Sequence, residues 1–387
     1  MSRIYLDHAA TTPMVPEAVE AMTRELPRVG NASSLHTSGR AARRVVEESR
    51  EAIAAQVGAH PTELIFTSGG TESNNLAIKG AFWSNRELGR SRVITSAIEH
   101  HAVLDSVAWL GRSAAAAVHY IPVDSAGQLD LPVLSKSVDP YTGVVSVMWA
   151  NNEVGTLQPV REIAAVAAGQ GAISHSDAVQ AVGHVDVDFA ASGLDLLSFT
   201  AHKLGGPYGI GALLARRGLR LAPILHGGGQ EREVRSGTLD VAATAGFAAA
   251  VQIAMRNRVR EEQRLRKLRT DLVKSVLAAI PWAVPYGPIA EDHRLPGIAN
   301  IGFPGCSADA ILLLLDAAGI DCSIGAACSA GVSQPSHVLI AMGCGEAEAR
   351  SALRFSLGHS STLADVRALA AALPEAVRRA KAAAAFA

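Results

Sequence analysis

Between about residues 60 and 215, short apolar runs alternate with helix-length amphipathic stretches, and this alternation limits the available folds more than any single motif does. Residues 63–67, 92–96, 118–122, 144–149, 171–173 and 194–199 read as strands. Parallel neighbours need a crossover of a dozen or more residues, usually a helix, so the pattern predicts an α/β fold with a mostly parallel sheet covered by helices. A helical stretch at 242–280 then leads to strand-like runs at 298–303 and 354–357, with helical runs at 308–317 and near the C-terminus. With 387 residues the chain has room for about two domains. We expect a large domain at 15–255 and a smaller α+β domain made of 1–14 with 256–387.

Open α/β sheets bind ligands beyond the carboxyl ends of their strands. The richest such end runs from Ser198 to Gly211, where an apolar run empties into a small-residue turn presenting Lys203, followed by closely spaced glycines. A partly desolvated lysine can lose its proton and attack an aldehyde. Thr200 and His202 beside it offer short donors for a phosphate. The arrangement suits a Schiff base to pyridoxal phosphate; the alternative is a surface lysine ahead of a glycine-rich hairpin. Such a cofactor needs a carboxylate to keep its ring nitrogen protonated. Asp177, at the expected end of the run that begins near 171, fits that need, although an aspartate there also suits a helix N-cap.

Other strand ends carry polar groups. Ser68-Gly69-Gly70-Thr71 lies between a strand and a helix expected from Leu76, and such a turn exposes backbone N–H groups to a phosphate, unless it is only a tight connection. No G-x-G-x-x-G dinucleotide fingerprint occurs there. Glu99-His100-His101 follows another strand; adjacent histidines point to different sides of a helix, which argues against a shared metal and for one imidazole stacked on a cofactor ring or capping a helix. Asn151-Asn152-Glu153 ends a further strand, and residues 226–238 form a charged glycine-rich loop. Cys328 lies among Ala326, Ala327, Ser329, Ala330 and Gly331; small neighbours predict an accessible thiol, reactive or incidental. Arg354 suits a substrate carboxylate, held through two parallel hydrogen bonds, or the surface.

A net charge of -1 gives no basis for nucleic-acid or anionic-membrane binding. No run reaches the roughly 18 apolar residues of a membrane span, and the first ten residues lack a signal peptide's apolar stretch. Four cysteines without C-x₂-C spacing predict neither a disulfide framework nor a zinc site, with Cys306, Cys322 and Cys344 structural. A cytoplasmic protein is expected.

Tyr5-Leu6-Asp7-His8-Ala9-Ala10-Thr11-Thr12, Thr71-Glu72-Ser73-Asn74-Asn75, Glu99-His100, Asn151-Asn152-Glu153, His202-Lys203, Arg235-Ser236-Gly237-Thr238, Ala327-Cys328 and Arg354-Phe355-Ser356-Leu357-Gly358 together resemble the cysteine desulfurases of the class V aminotransferase family, in the group serving iron–sulfur assembly and nitrogenase maturation. The resemblance spans nearly the whole chain. It implies the pyridoxal-phosphate fold type I, with a seven-stranded sheet in the large domain and a homodimer. It implies Lys203 as the Schiff-base lysine, Asp177 as the pyridinium partner, Gln180 as a donor to the ring's phenolic oxygen and His100 as the stacking and catalytic imidazole. Gly70, Thr71, Thr200 and His202 would bind the phosphate, with Thr238 supplied by the other subunit. Asn152 and Arg354 would hold the carboxylate of L-cysteine, and Cys328 would take its sulfur as a persulfide, leaving L-alanine, for transfer to acceptor or iron–sulfur scaffold proteins.

The sequence departs from that family in having Ala326 for serine, Ser329 for threonine, Thr200 for serine and Ala32 for proline. Some relatives extend further at the C-terminus, where a scaffold docks, so the resemblance carries no docking segment over. Other readings of the same fold are a transaminase, a selenocysteine lyase or an inactive sulfur-relay scaffold.

Overall fold

The computed structural model describes residues 3–325 and 334–384, so Cys328 and its neighbours Ala326 and Ser329 lie outside the described residues. The chain begins with β1 (Ile4–Tyr5), α1 (Pro16–Glu25) and α2 (Thr37–Gln56). Pro16 suits the first turn of α1 because its missing N–H would have no partner there. Next come β2 (Leu64–Thr67), α3 (Gly70–Arg86), β3 (Arg92–Ser96), α4 (His101–Ala114), β4 (Ala117–Ile121), α5 (Leu131–Ser137), β5 (Thr142–Ser146), α6 (Val160–Gly169), β6 (Ile173–Asp177), α7 (Phe189–Ser192), β7 (Leu196–Thr200) and β8 (Gly211–Ala215). The long α8 (Val241–Ala279) leads to β9 (Val284–Tyr286), β10 (Ile298–Gly302), α9 (Ala308–Ala317), β11 (Ile320–Asp321), β12 (Ser323–Ile324), α10 (His337–Ala341), α11 (Glu346–Ala349), β13 (Ala352–Ser356) and α12 (Leu363–Ala384).

Among the described residues, seven strands form the large sheet in the order β2-β8-β7-β6-β5-β3-β4. Its strands run parallel except β8, which is antiparallel to both β2 and β7. The α/β architecture expected from the alternation is therefore present. β5, β6 and β7 are buried at every residue, as central strands covered on both faces must be. A second sheet, β12-β13-β10-β9, is wholly antiparallel, and β1 pairs with β11 in parallel. One apolar cluster joins Phe66 and Phe199 of the large sheet to Phe247 of α8. Another joins Leu6, Leu268 of α8, Phe355 of β13 and Leu369 of α12. Each fully buried side chain of this size contributes about 2 kcal/mol.

One expectation needs correction. The helix expected from Leu76 begins at Gly70, because local bonds at its first turn and the tertiary bonds of Glu72 to Arg235 and Asn74 to Asp177 override the weak helix propensity of residues 71–75. Glu72 accepts the Ser68 amide at 2.7 Å, the Ser73 amide reaches the Gly69 carbonyl at 3.0 Å, and Asn74 is buried against the sheet. The residues after Lys203 return as β8, the antiparallel strand of the mostly parallel sheet, inserted between β2 and β7. No helix among the described residues is long and apolar enough to cross a membrane.

Candidate active site

The carboxyl ends of β2, β3, β5, β6 and β7 surround a cavity of about 370 Å³. Its wall holds Gly70, Thr71, His100, Asn152, Asp177, Gln180, Thr200, His202, Lys203 and Arg354. The sequence thus placed ten of its expected site residues where the fold brings them together. A smaller cavity of about 250 Å³ shares Ala9, Gln180 and Lys203 but takes most of its remaining wall from α1, α8 and the segment 295–298.

Lys203 closes a single helical turn, Ala201–Lys203, at the end of β7. Its Nζ donates to the Ala9 and Ala10 carbonyls, both at 2.6 Å, which ties the N-terminal segment across the cavity. His202 stacks on Tyr208 with ring centroids 5.7 Å apart, and burial followed by the neighbouring Lys203 charge pushes it down to about 4, so its imidazole is neutral. The Thr200 hydroxyl donates to the Ile210 carbonyl at 3.0 Å and must turn to donate to a ligand.

Asp177 ends β6 and is 4% exposed. The Asn74 amide donates to its Oδ2 at 2.6 Å and the Val179 N–H to its Oδ1 at 2.9 Å. Burial pushes this carboxyl above the usual range, and His100, the two hydrogen bonds and Lys203 only partly oppose it. A cation placed against Asp177 would remove that penalty. His100 caps α4, its Nδ1 accepting from the Ala102 N–H at 3.1 Å. Burial lowers its pKa against the pull of Asp177, so the ring is neutral with its proton on Nε2. Stacking and capping, alternatives from sequence alone, are compatible: the cap uses a ring nitrogen and leaves a face toward the cavity.

Arg354 sits within β13 and is 4% exposed, so the surface alternative fails. Its guanidinium donates to the Asp7 carboxylate at 2.7 Å and to the Asn152 carbonyl at 3.0 Å, while its buried Nε–H has no partner. Gln180 donates to the Ala9 carbonyl at 2.9 Å, which leaves its amide a second N–H.

Thr238 does not line the cavity of its own chain. Its loop is pinned elsewhere: Glu231 accepts from Arg50 at 2.7 and 2.8 Å and from the Phe66 amide at 2.8 Å, and Arg235 donates to Glu72 at 2.7 Å. Cys328 lies outside the described residues, beyond Gly325 in the cavity wall. Cys306 and Cys322 are buried, as expected of structural cysteines, whereas Cys344 is only half-buried. Burial pushes the Cys322 thiol up to about 12. Sequence reasoning assigned no role to Asp7, which neutralises Arg354, or to Asn74, which orients Asp177. Both lay within motifs it had noticed.

These residues fit pyridoxal phosphate. Gly69 has φ +153°, open only to glycine, and hands the chain to the N-terminus of α3, whose first N–H groups are free for an anion. A Cβ at Gly70 would stand 2.7 Å from Val179 Cγ2, so the cradle beside the cavity tolerates no side chain. Asp177 lacks a full countercharge, and Lys203 supplies the amine. In that fit Gly70, Thr71, Thr200 and His202 would hold the phosphate, Asp177 and Gln180 the ring's polar atoms, and Lys203 the aldehyde carbon.

Comparison with known proteins agrees. The family model described as Aminotransferase class-V matches residues 4–369. An IscS-like cysteine desulfurase of Mycobacterium tuberculosis is 54% identical over 385 residues, 98% of each chain. Among solved structures, a NifS-like protein aligns over 100% of both chains with a TM-score of 0.88 at 34% identity. SspA in complex with cysteine aligns over 91% of this chain and 98% of its own, with a TM-score of 0.78 at 32% identity. The chain belongs to the class-V aminotransferases, a pyridoxal-phosphate-dependent family, and within it to the cysteine desulfurases.

Proposed function

We propose that the protein takes sulfur from L-cysteine, releases L-alanine, and holds the sulfur as a persulfide on Cys328 before passing it to an acceptor protein. The observation that carries this reading is one cavity joining a lysine amine, a buried carboxylate and an unsaturated arginine, with Gly325 in its wall leading into the segment that bears Cys328. A related structure that holds cysteine supports the choice of substrate.

Arg354 and Asn152 orient the substrate carboxylate, Arg354 through a guanidinium that Asp7 already holds in place. Pyridoxal phosphate, when bound, supplies the electron sink that makes the substrate Cα proton removable. Asp177 would keep the cofactor's ring nitrogen protonated, and His100, also in the cavity wall, would help hold the ring. Lys203 Nζ would move the proton at the substrate Cα. The Cys328 thiolate forms an S–S bond to the substrate sulfur. The Cβ–S bond breaks, its electron pair stays with the three-carbon fragment, and protonation there gives alanine. Sulfur is oxidised to the sulfane level as carbon is reduced, so no outside oxidant or reductant is needed. Thiol exchange then moves the sulfur on.

The same reading includes a homodimer in which Thr238 completes the partner's phosphate site, and acceptors among iron–sulfur scaffold proteins. It also divides the chain into a large domain at 15–255 and a small one of 1–14 with 256–387. The test is mass spectrometry of thiol-trapped protein after L-cysteine. The peptide containing Cys328 gains one sulfur; sulfur found only on Cys306, Cys322 or Cys344 contradicts the reading.

A further inference from the structure

Glu153, the last residue of the Asn151-Asn152-Glu153 motif, does not line the cofactor cavity, yet it is 2% exposed and held at its backbone N–H, its carbonyl and one carboxylate oxygen. Its N–H donates to Asn151 Oδ1 at 2.8 Å, and its carbonyl accepts from Asn300 Nδ2 at 3.3 Å. Its Oε2 accepts from the Ser336 hydroxyl at 2.5 Å, and that hydroxyl's oxygen accepts the Leu339 amide at 3.1 Å at the start of α10. On the other side, Gly325 lies directly over the carboxylate. A Cβ at position 325 would stand 2.9 Å from Glu153 Cδ and closer still to Oε2. Gly325, the last described residue before the segment that bears Cys328, and Ser336, two residues beyond the first described one after it, converge on one side chain of the connection between β5 and α6.

Burying a carboxylate is costly unless it is bonded, and the bond this one makes goes to Ser336, just beyond the segment that bears Cys328. We propose that Glu153 is a positioning residue that fixes both stems of the Cys328 segment and thereby sets how closely the thiolate meets the substrate sulfur. The inference rests on the role given to Cys328 above. Glu153 sits beside Asn152, whose carbonyl holds Arg354, so one short connection registers the substrate carboxylate and the sulfur acceptor together.

The test uses the holoenzyme with Glu153→Ala, Glu153→Gln and Ser336→Ala. A displacement of about 1 Å in a reacting group costs on the order of 100-fold in rate. Alanine release by Glu153→Ala should therefore fall about 10- to 100-fold, while KM for L-cysteine and the cysteine-induced change in cofactor absorbance stay as in the parent. Glu153→Gln, whose amide oxygen still accepts from Ser336, should recover part of the loss, and Ser336→Ala should show a smaller fall of the same kind. Hydrogen exchange at the Leu339 amide should rise in Glu153→Ala and Ser336→Ala. Unchanged alanine release and exchange would overturn the proposal, as would a loss of cysteine binding equal to the loss of turnover. The exchange measurement does not depend on Cys328 chemistry. Faster exchange with persistent alanine release from Cys328→Ser would therefore support the anchor while refuting the persulfide reading.

Discussion

The two main sheets meet at the cavity but equip it differently. The seven-stranded sheet delivers Asp177 at the end of β6, Thr200 at the end of β7, and Gly70, His100 and Asn152 within a few residues of the ends of β2, β3 and β5. β6 and β7 have ladder partners on both edges; Asp177 stands on backbone held from two sides, by Ser198 of β7 and by the Trp149 N–H, while Thr200 is paired with Gly211 of β8. The four-stranded sheet contributes Arg354 from inside β13 and Gly325 just after β12, a two-residue edge strand with a partner on one side only. On the proposed reading the first sheet supplies the groups for charge and proton transfer, the second those for substrate recognition and the approach to sulfur, and Glu153 joins the two.

Changes at the large sheet should therefore disable the first half of the chemistry, and changes at the small sheet should leave it running. The largest effect is expected from Lys203→Ala: turnover at background, and no cofactor left covalently attached after borohydride reduction. Reducible attachment in that variant would show that another amine serves. Asp177→Ala should retain cofactor through the phosphate contacts yet lose about 10²- to 10³-fold in turnover, a range typical for one removed electrostatic or proton-holding group. Near-parental turnover would break the assignment of the ring-nitrogen contact to the large sheet. Arg354→Lys keeps the charge but not the planar fork. It should raise KM for L-cysteine about 10-fold or more while the cofactor spectrum without substrate stays unchanged. A changed resting spectrum would place Arg354 with the large-sheet group instead.

A smaller effect concerns stability. His175 lies wholly buried in the middle of the large sheet, bonded to Ser146 of β5 at 2.8 Å and Ser198 of β7 at 2.9 Å, and burial depresses its pKa to about 3. A histidine lowered in the folded state contributes stability that is present above its ordinary value near 6.5 and lost as pH falls toward 3. A tenfold difference in proton affinity between the folded and unfolded chain is worth about 1.4 kcal/mol, so the loss across that window is on the order of a few kcal/mol. Glu99 behaves oppositely. Fully buried, it is pushed up to about 8 by desolvation, so the stability tied to its neutral form is complete below about 4.5 and lost as pH rises through 8. Melting temperature against pH should fall on both sides, with His175→Asn flattening the acid limb and Glu99→Gln the alkaline one. Parallel curves for parent and variants would show that other groups set the limbs.

Most of the large sheet was legible because its strands obey a period and length that only one architecture satisfies. The carboxyl ends of strands then drew attention to Lys203, Asp177 and Thr200, with a surface lysine and a helix cap left as alternatives until the family resemblance was added. What sequence did not reveal was pairing across long separations. Asp7 meets Arg354 only because β1 lies beside β11 and residue 7 bridges Ser356. Asn74 reaches Asp177 only because α3 starts at Gly70, six residues before the apolar pattern declares a helix. Glu153 was visible as part of a polar motif, but nothing local says that Gly325 and Ser336 come to it. Contacts of this kind are tertiary, and the signal for them lies in no single stretch of chain.

The most direct test of the separation between the two sheets is Cys328→Ser mixed with L-cysteine. Lys203, Asp177 and Arg354 remain, so the cofactor's absorbance should change on mixing at the parental rate. A serine hydroxyl is too basic to ionise and cannot store sulfane sulfur, so alanine and sulfide should stay at background. Sustained alanine release by Cys328→Ser would contradict the account, because sulfur would then be leaving without the thiol that is proposed to receive it.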